Sequence, residues 1–370
     1  MREDSLYRLA NEAEIASPAL IYYPELIRRN TLQTIEMAGG AERLWPHVKS
    51  HKMAELIDMQ LAMGIRRFKC ATLAELALTA GRGAAHVLLA YPLVGPNIGR
   101  FLDIVARYPE TQFYALCDSF AALAALDAAC AARNTRVRWL CDVNLGMDRT
   151  GVPLAELTEF CRAAAARFAH LELVGLHCYD GQNHQGDPAE RGAAVTAQMA
   201  PAFASRAALQ AEGIALPIVI AGGSPTFPCH AGEAGVFLSP GTVFLWDWGY
   251  QTHFPDLPFV PAAALLTRVV SHPAPGVFTL DLGCKAIASD PAGLRGHLLD
   301  VPGAEPMFQS EEHWTWRMPA GREAERPEIG AALYVLPTHI CPTTALYRAV
   351  KLGVNGRVEG EWVVAARNRD

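Results

Sequence analysis

The sequence lacks the features that mark membrane, secreted and nucleic-acid-binding proteins. It has no run of about 18 apolar residues, so no membrane-spanning segment is expected. The first residues, MREDSLYRLANEAE, are charged and lack the apolar core of a signal peptide. The basic residues are scattered, and the net charge of -6 with a pI near 6.1 argues against nucleic acid or a membrane surface as a partner.

The nine cysteines show no CxxC spacing and do not form an even set. Several lie in apolar runs such as WLCDV, where a thiol is most often a small buried hydrophobic group. Cysteines without a disulfide or zinc pattern are typical of a reducing compartment. We therefore expect a cytoplasmic protein.

At 370 residues the chain is long enough for about two domains. Between about residues 44 and 245, β-type runs such as HVLLAYPLV alternate with alanine-rich helical stretches such as SFAALAALDAACAARN. Eight such strands predict an α/β fold of the (β/α)8 TIM-barrel type, although an open doubly wound sheet would show the same alternation.

Beyond about residue 256 the pattern changes to strands such as HWTWRM and GRVEGEWVVAAR, joined by turns that contain proline and glycine. The sequence therefore predicts a barrel over residues 22–255 and a mostly β domain over residues 256–370. The early strand PALIYYP suggests that residues 1–21 also contribute to the β domain.

Polar side chains follow the predicted barrel strands at their carboxyl ends, where catalytic groups of such barrels collect. The first strand ends in HVKSHK, the fifth in NLGMDRTG and the sixth in HCYDGQNH. The seventh and eighth end in AGGSPTF and SPGTVF, which combine glycine with hydroxyl side chains. Such turns either bind phosphate through backbone N–H groups and hydroxyls or are ordinary turns.

A phosphate site together with a lysine on the first strand indicates pyridoxal phosphate, which needs an amine for a Schiff base and donors for its phosphate. Lys49 within the strand is a better candidate than Lys52 just beyond it. A neighbouring cation such as Lys52 would lower the pKa of the Lys49 amine.

Two further side chains are placed to meet this cofactor. Arg149 could hydrogen-bond the cofactor's phenolate oxygen, or instead form a surface pair with Asp148. Tyr179 could contact the pyridine ring or its nitrogen, or instead be a core tyrosine at a strand end. His177 lies two residues earlier on the same face and is expected to support the site from behind.

The segment RLWPHVKSHKM resembles the RPHxKxHK segment of the fold-type III pyridoxal phosphate enzymes, specifically the D-threonine aldolase and D-serine dehydratase group. FKCATLAEL, YPLVGPN, GMDRTGV, GLHCYDG, AGGSPT, SPGTVFLWD, LDLGCKAIASD and LPTHICPT follow in that family's order. The resemblance covers almost the whole chain. It implies an alanine-racemase-like barrel with a β domain, in a homodimer.

By this resemblance Lys49 is the Schiff-base lysine, Arg149 faces the cofactor's oxygen and Tyr179 approaches the ring nitrogen. His51, in the same segment as Lys49, is a further catalytic candidate. The other cofactor-binding positions that it implies are His47, Gly222, Gly223, Ser224, Thr226, Gly241 and Thr242.

Family members also carry a divalent metal, held late in the chain by a His-x-Asp or His-x-Cys pair. The matching residues here are His339 and Cys341 in LPTHICPT. If this segment is a strand, residues i and i+2 project to the same face and both can reach one ion. Imidazole and thiolate suit zinc or another transition metal better than magnesium, and the candidate ions are zinc, manganese and magnesium.

The expected function is a lyase, dependent on pyridoxal phosphate and metal, that cleaves a small β-hydroxy-D-amino acid to glycine and an aldehyde. The alternative is a dehydratase that converts D-serine or D-threo-3-hydroxyaspartate to a keto acid and ammonia with the same parts. The His-x-Cys pair is similar to the dehydratase branch, whereas YPLVGPN is similar to the aldolases. An amino-acid racemase would have no use for the metal pair, and non-catalytic pyridoxal phosphate-binding proteins usually consist of the barrel alone.

Overall fold

The structure, a computed structural model, describes residues 6–369. Residues 1–5 of the predicted segment 1–21, and residue 370 of the predicted β domain, lie outside the described residues. The strands are β1 (Ala19–Tyr22), β2 (Arg67–Cys70), β3 (His86–Leu89), β4 (Gln112–Cys117), β5 (Val137–Asn144), β6 (Val152–Pro153), β7 (Leu171–Cys178), β8 (Ile218–Ala221), β9 (Val236–Leu238), β10 (Ala263–Ala274), β11 (Val277–Leu280), β12 (Gly296–Leu298), β13 (Glu305–Gln309), β14 (Trp314–Arg317), β15 (Ala332–Pro337), β16 (Ala349–Val354) and β17 (Arg357–Val363). The helices are α1 (Pro24–Ala38), α2 (Ala54–Ala62), α3 (Leu73–Gly81), α4 (Pro96–Arg107), α5 (Phe120–Ala132), α6 (Leu157–Arg167), α7 (Pro188–Ala211), α8 (Trp248–His253) and α9 (Ile340–Leu346).

The chain folds into two compact units. The barrel unit consists mainly of Thr34–Lys49 and Ala54–Gly241. Of the described residues, the β unit consists of 6–33, Ser50–Met53 and Thr242–Arg367. Residues 242–255, which the sequence pattern placed with the barrel, therefore pack with the β unit.

The barrel unit contains a parallel sheet in the order β2, β3, β4, β5, β7, β8, β9, with β6 paired to β5. The segment 44–47 closes this sheet into a barrel, because Leu44 bridges Leu238 of β9 and His47 bridges Lys69 of β2. The predicted fold class, a barrel of alternating strands and helices with a mostly β second unit, is confirmed.

The closing segment is not the regular strand that the sequence predicted. The amide of Trp45 donates to the carbonyl of Leu238 (2.7 Å), and the amide of Lys69 donates to the carbonyl of Pro46 (2.9 Å). Pro46 has no N–H, so a continuous ladder cannot form through it. Consequently Lys49 does not lie in a strand but in the short 3-10 helix Val48–Ser50 that follows.

The helices α3, α5 and α7 begin at side-chain caps. At the start of α3, the Thr72 hydroxyl accepts a hydrogen bond from the Glu75 amide (3.2 Å), and the Glu75 carboxylate accepts one from the Ala71 amide (2.7 Å). This reciprocal arrangement satisfies amides that would otherwise lack partners in the first turn. In the described part of the chain, no helix is long and apolar enough to cross a membrane.

Large side chains fill the interior of the barrel. Trp45 is 1% exposed, and its ring centroid lies 5.3 Å from that of Tyr114 and 6.1 Å from that of Phe237. Its indole N–H is buried and has no hydrogen-bond partner among the described residues. The other members of this core cluster are Leu88, Leu116, Leu140, Val174 and Ile220. The tryptophan in WPHVK, where the resembling segment carries arginine, is therefore a barrel-core residue.

The β unit is built on a sheet in the order β13, β14, β11, β10, β1, β16, β17, in which β15 pairs with β10 and with β12. Its pairings are antiparallel except for β1 with β16. The early strand β1 is thus part of this sheet, between β10 and β16.

Replacing Trp45 with alanine will lower the free energy of unfolding by about 3–5 kcal/mol, because it leaves a large cavity in the barrel core. Trp45→Phe will cost less than about 1.5 kcal/mol, since phenylalanine keeps most of the volume and removes the unpartnered N–H. Urea denaturation measures both values. The exposed Leu32 (45% exposed) provides a control in Leu32→Ala, and an alanine effect at Trp45 no larger than that at Leu32 would contradict the packing argument.

Candidate active site

A cavity of about 500 Å³ opens at the carboxyl ends of the barrel strands. Its lining combines basic and aromatic side chains with apolar ones from the loops. The lining residues are His47, Lys49, Lys69, Ala71, Ala90, Tyr91, Pro92, Val94, Arg149, Thr150, His177 and Tyr179. Four predicted site residues from three chain segments, His47, Lys49, Arg149 and Tyr179, are therefore brought together.

Three cations surround the ring of Tyr179. The guanidinium carbon of Arg149 lies 4.8 Å from the ring centroid, and the Nζ atoms of Lys69 and Lys49 lie 5.6 Å and 6.0 Å from it. A cation over an aromatic face is attracted by the ring's negative centre. Tyr179 therefore offers a common contact for side chains that would otherwise repel one another.

The turn that carries Arg149 is held by hydrogen bonds between Asn144 and the residues that follow it. The side-chain oxygen of Asn144 accepts hydrogen bonds from the amides of Gly146 (2.9 Å) and Asp148 (3.2 Å). The Asp148 carboxylate accepts one from the Asn144 side chain (2.9 Å). The Asp148 carboxylate is thus hydrogen-bonded within the turn, and the guanidinium group of Arg149 lies over the ring of Tyr179.

Behind this ring lies a buried chain of polar groups. The His177 Nδ1 atom is 2.7 Å from a carboxylate oxygen of Asp142, whose other oxygen accepts from the Thr150 hydroxyl (2.7 Å). Burial alone would raise the pKa of Asp142, but the hydrogen bonds from His177 and Thr150 outweigh it and lower that pKa. Burial lowers the pKa of His177, so its ring is neutral at pH 7.

Lys69 is the site residue that sequence reasoning missed. It is 2% exposed, and its Nζ atom donates to the Ser239 hydroxyl (2.7 Å) and lies 3.5 Å from His177 Nε2. The available signal was a lysine inside the strand RRFKCAT, where an inward-facing residue is expected to be apolar. Burial and the charge of Lys49 lower the pKa of Lys69 to about 7.

Asp180 organises the first predicted phosphate turn. One of its oxygens accepts from the amide of Gly223 (3.1 Å) and from the hydroxyl of Thr226 (2.7 Å). Its other oxygen lies 2.9 Å from Nε2 of His230, which is also buried. The hydroxyl hydrogen of Thr226 is thus directed to Asp180, and in this arrangement Thr226 braces the turn.

Steric constraints explain why this turn contains glycines. Gly222 has φ +78°, and a Cβ atom there would lie 2.7 Å from the Cα of Phe227. The Gly241 amide donates to the Ser224 hydroxyl (3.3 Å), so the ends of the two predicted phosphate turns meet. A Cβ at Gly223 would lie 3.4 Å from the Tyr179 ring, which places this turn beside the residues of the cavity.

The predicted metal pair lies in the β unit. His339 is the N-cap of α9 and Cys341 is in its first turn, so the prediction that both project from one strand was wrong. At the start of the helix the Asp247 carboxylate accepts a hydrogen bond from the Ile340 amide (3.1 Å), which satisfies one of the first amides. The two side chains nevertheless influence each other, since His339 lowers the pKa of Cys341 and Cys341 raises that of His339.

Neighbouring groups shift the pKa values of His339 and Cys341. The Nδ1 atom of His339 lies 2.5 Å from a carboxylate oxygen of Asp290. Burial alone would lower the pKa of His339, but Cys341 and Asp290 raise it to about 9. Burial would likewise raise the pKa of the Cys341 thiol, but His339, Ser50 and Thr242 lower it. Within residues 6–369, no group of three or more His, Cys, Asp or Glu side chains is arranged to hold a metal.

Two other predicted residues also fall in the β unit. The hydroxyl of Thr242 is 3.3 Å from Sγ of Cys341. His51 is 1% exposed, and its Nδ1 accepts from the Met53 amide (3.2 Å). Burial and the adjacent Lys52 lower the pKa of His51 to about 3, so its imidazole is neutral.

Comparison with known proteins agrees with this arrangement. The family model named Alanine racemase, N-terminal domain, matches residues 24–245. The chain belongs to this family. A second model, Putative serine dehydratase domain, matches residues 262–352. The predicted resemblance to the fold-type III pyridoxal phosphate enzymes is confirmed, and the alanine racemase family supplies the barrel unit.

Relatives with named activities match over most of their length. The chain is 29% identical over 332 residues to the D-threonine aldolase of Arthrobacter sp, a match that covers 88% of this chain and 85% of the relative. It is 24% identical to the D-threo-3-hydroxyaspartate dehydratase of Delftia sp., with 93% and 96% covered. The crystal structure of D-threonine aldolase from Filomicrobium marinum superposes with a TM-score of 0.87 at 26% identity, with 96% of each chain covered.

The buried position of Lys69 predicts a pH-dependent stability. Its folded pKa of about 7 lies below the value near 10.4 of an unfolded lysine. Between these values the unfolded state binds more protons, so the free energy of unfolding rises with pH by up to about 1.4 kcal/mol per unit. Lys69→Met removes this contribution, which urea denaturation between pH 7 and 9 will detect as a smaller rise.

The control is Lys351→Met, since Lys351 forms a surface ion pair with Glu361 (2.9 Å). This variant will keep the wild-type slope. Parallel stability curves for wild type and Lys69→Met would show that Lys69 does not titrate abnormally in the folded protein.

Proposed function

We propose that this chain is a lyase, dependent on pyridoxal phosphate and a divalent metal, that cleaves β-hydroxy-D-amino acids to glycine and an aldehyde. The observation that carries the proposal is the cavity in which Lys49 and Arg149 converge on Tyr179. It occurs in a chain that aligns over 88% of its length with a D-threonine aldolase. The protein belongs to a pyridoxal phosphate-dependent family, and its catalytic assignment rests on these residues.

The cavity fits the cofactor. Its volume of about 500 Å³ is within the range of small-molecule sites. One wall offers an amine and a guanidinium around an aromatic ring, and the adjoining turn has glycines where side chains would collide with Phe227 or crowd Tyr179. An aldehyde, a phenolate oxygen, an aromatic ring and a phosphate require these kinds of partner.

When bound, pyridoxal phosphate supplies an electron sink for a substrate carbanion. Lys49 would hold the cofactor through its amine and, once a substrate amine has displaced it, would carry protons within the cavity. Arg149 would hydrogen-bond the cofactor's phenolate oxygen and keep it ionised. Tyr179 would present its ring and hydroxyl to the cofactor's ring nitrogen.

The phosphate would be held by the two turns that meet at Ser224 and Gly241. Backbone N–H groups in glycine-rich turns bind anions without added charge. Gly222 and Gly223 give the turn its shape, Thr226 and Asp180 hold it, and His47 borders the cavity. Thr242 remains a predicted phosphate contact.

The residues of the β unit fit a transition-metal site. His339 and Cys341 provide an imidazole and a thiol two residues apart, and Asp290 on Nδ1 leaves Nε2 of His339 for the metal. These donors favour zinc over magnesium. A metal held there would supply Lewis acidity toward the substrate's β-hydroxyl group. His51, neutral and buried, is a catalytic candidate without an assigned step.

The second candidate function is dehydration of D-serine or D-threo-3-hydroxyaspartate to a keto acid and ammonia. The pair His339 and Cys341 favours it, because a His-x-Cys pair is similar to the dehydratase branch of the family. Alignment with the Delftia dehydratase over 93% of the chain agrees with it.

We further propose a cytoplasmic homodimer that binds neither nucleic acid nor membranes. The negative net charge of -6 supports the absence of a nucleic-acid partner. Light scattering on the purified protein measures the oligomeric state.

The purified protein with pyridoxal phosphate and manganese or zinc will release glycine from D-threonine and from D-threo-3-hydroxyaspartate. Lys49→Ala will lower the rate by roughly 10³-fold or more, because it removes both the anchor and a proton carrier. Chromatography that separates glycine from keto acid measures the products, with the L-enantiomers and Lys351→Ala as controls. Keto acid and ammonia in place of glycine would establish the dehydratase, and racemised amino acid without either product would reject both.

Removing the metal with a chelator will abolish product formation, and adding zinc or manganese will restore it.

Cys341→Ala will lower the metal content measured by atomic emission. Asp290→Asn will weaken metal binding by roughly 10–100-fold, because the His339 ring is then no longer held in its orientation. Pyridoxal phosphate binding will be unchanged. Cys284→Ala is a matched control, since Cys284 is also half-buried, and equal metal content in both cysteine variants would place the metal elsewhere.

A further inference from the structure

Lys69 is a second amine at the same cavity as Lys49, and the proposed reaction gives it no role. It lies in β2, in the barrel unit, and is 2% exposed. Lysine is almost never buried to this extent without partners. Its side chain lines the cavity of about 500 Å³, and its Nζ atom lies 5.6 Å from the centroid of the Tyr179 ring. A small ligand in the cavity would therefore lie beside this amine.

The neighbours of Lys69 have the arrangement that activates a nucleophile. His177 Nε2 lies 3.5 Å from Nζ of Lys69, and His177 Nδ1 lies 2.7 Å from a carboxylate oxygen of Asp142. Because the carboxylate accepts, Nδ1 carries the ring hydrogen and Nε2 presents its lone pair to Lys69. A nucleophile, a base within reach of it and a third group that orients the base form the triad of enzymes that react covalently.

The Ser239 hydroxyl is the second acceptor beside the amine. Nζ of Lys69 donates to it at 2.7 Å, and the hydroxyl can itself donate to the Gly222 carbonyl at 3.1 Å. A neutral amine has two hydrogens and one lone pair. Ser239 and His177 accept the two hydrogens, so the lone pair is left for a ligand in the cavity.

Burial and charge favour the neutral form of this amine. Burial and the charge of Lys49 lower the pKa of Lys69 to about 7, and Arg149 acts in the same direction, while Asp180 and Asp142 oppose them. These groups come from the closing segment, from β5 and the loop after it, and from the carboxyl end of β7. Above pH 7 most Lys69 side chains are therefore neutral, whereas an ordinary lysine with a pKa near 10.4 is almost entirely protonated.

The charge of the cavity indicates which carbonyl compounds it would accept. Its lining includes the cations Lys49 and Arg149, and none of its lining residues in the described part of the chain is an aspartate or glutamate. Opposite charges attract more strongly in a partly buried site than in water. A small aldehyde that carries a carboxylate group would match both the amine and the cations.

We propose that Lys69 is a second carbonyl-reactive amine, which binds a small anionic aldehyde as an imine, with His177 as its base and Asp142 orienting His177. The lone pair of Nζ forms the bond to the carbonyl carbon while an electron pair of the carbonyl moves to its oxygen. His177 accepts one amine hydrogen and returns it to this oxygen, which leaves as water with the other hydrogen. The inference does not depend on the proposed function.

The test incubates the full-length apoprotein with glyoxylate and cyanoborohydride at about pH 8. Cyanoborohydride reduces an imine to a stable secondary amine, and peptide mass spectrometry measures the labelling of each lysine. Lys351, in a surface ion pair with Glu361, is the reference. Lys69 will be labelled roughly tenfold or more faster than Lys351, because far more of it is neutral. Acetaldehyde, which lacks the carboxylate, will give a smaller ratio between the two lysines.

Variants separate the triad from burial alone. His177→Phe will slow the labelling of Lys69 by roughly tenfold or more, because the base is gone. His177→Gln is the substitute should the phenylalanine variant fail to fold, since glutamine is not a base either. Tyr91→Phe removes a hydroxyl from another lining residue of the cavity and will keep the wild-type rate.

Labelling of Lys69 no faster than that of Lys351, or labelling of Lys49 alone, would overturn the inference. An unchanged rate in folded His177→Phe and His177→Gln would remove His177 from it, and equal ratios with the two aldehydes would remove the preference for an anion. A parallel incubation with pyridoxal phosphate and borohydride keeps the proposed function separate. A pyridoxal adduct on Lys69 in place of Lys49 would support the reactivity of Lys69 and reject the assignment of Lys49.

Discussion

Closure of the parallel barrel by the segment 44–47 is the constraint on which the rest of the site depends. The segment is bonded on both edges, to β9 through Trp45 and to β2 through Pro46, but Pro46 lacks the N–H that a continuous strand would need at that position. The chain can therefore turn into a 3-10 helix immediately after His47. That turn delivers Lys49 to the cavity, where a continued strand would have directed it along the barrel wall.

The second organising principle is compensation of charge. The cavity gathers Lys49, Lys69 and Arg149 around one aromatic ring, while the carboxylates of Asp142 and Asp180 stand behind them. Both carboxylates also stabilise local structure. Asp142 orients His177, and Asp180 holds the turn after β8. Buried ions are tolerated in proteins when hydrogen bonds and opposite charges surround them, as here.

The alternation of strands and helices, and the polar residues at strand ends, could be predicted because local periodicity determines them. The inward orientation of Lys69 could not be predicted in this way. It depends on the register of β2 with the closing segment, where His47 bridges Lys69. Asp180 and His230 meet across 50 residues for the same reason. The HIC segment was mistaken for strand because the carboxylate that accepts from the Ile340 amide at the start of α9 belongs to Asp247, 93 residues earlier in the chain.

Trp45 also makes the neighbouring positions interdependent. An arginine at this position would place a guanidinium among Leu88, Tyr114 and Ile220, in a space with no counter-charge on the core residues around it. The effects of substitutions at Trp45 and at its ring neighbours are therefore epistatic. The fold tolerates a substitution at one of these positions only when the others have also changed. Transfer of the HVKSHK segment to another protein of this fold would therefore require transfer of Trp45 and of its aromatic neighbours Tyr114 and Phe237 as well.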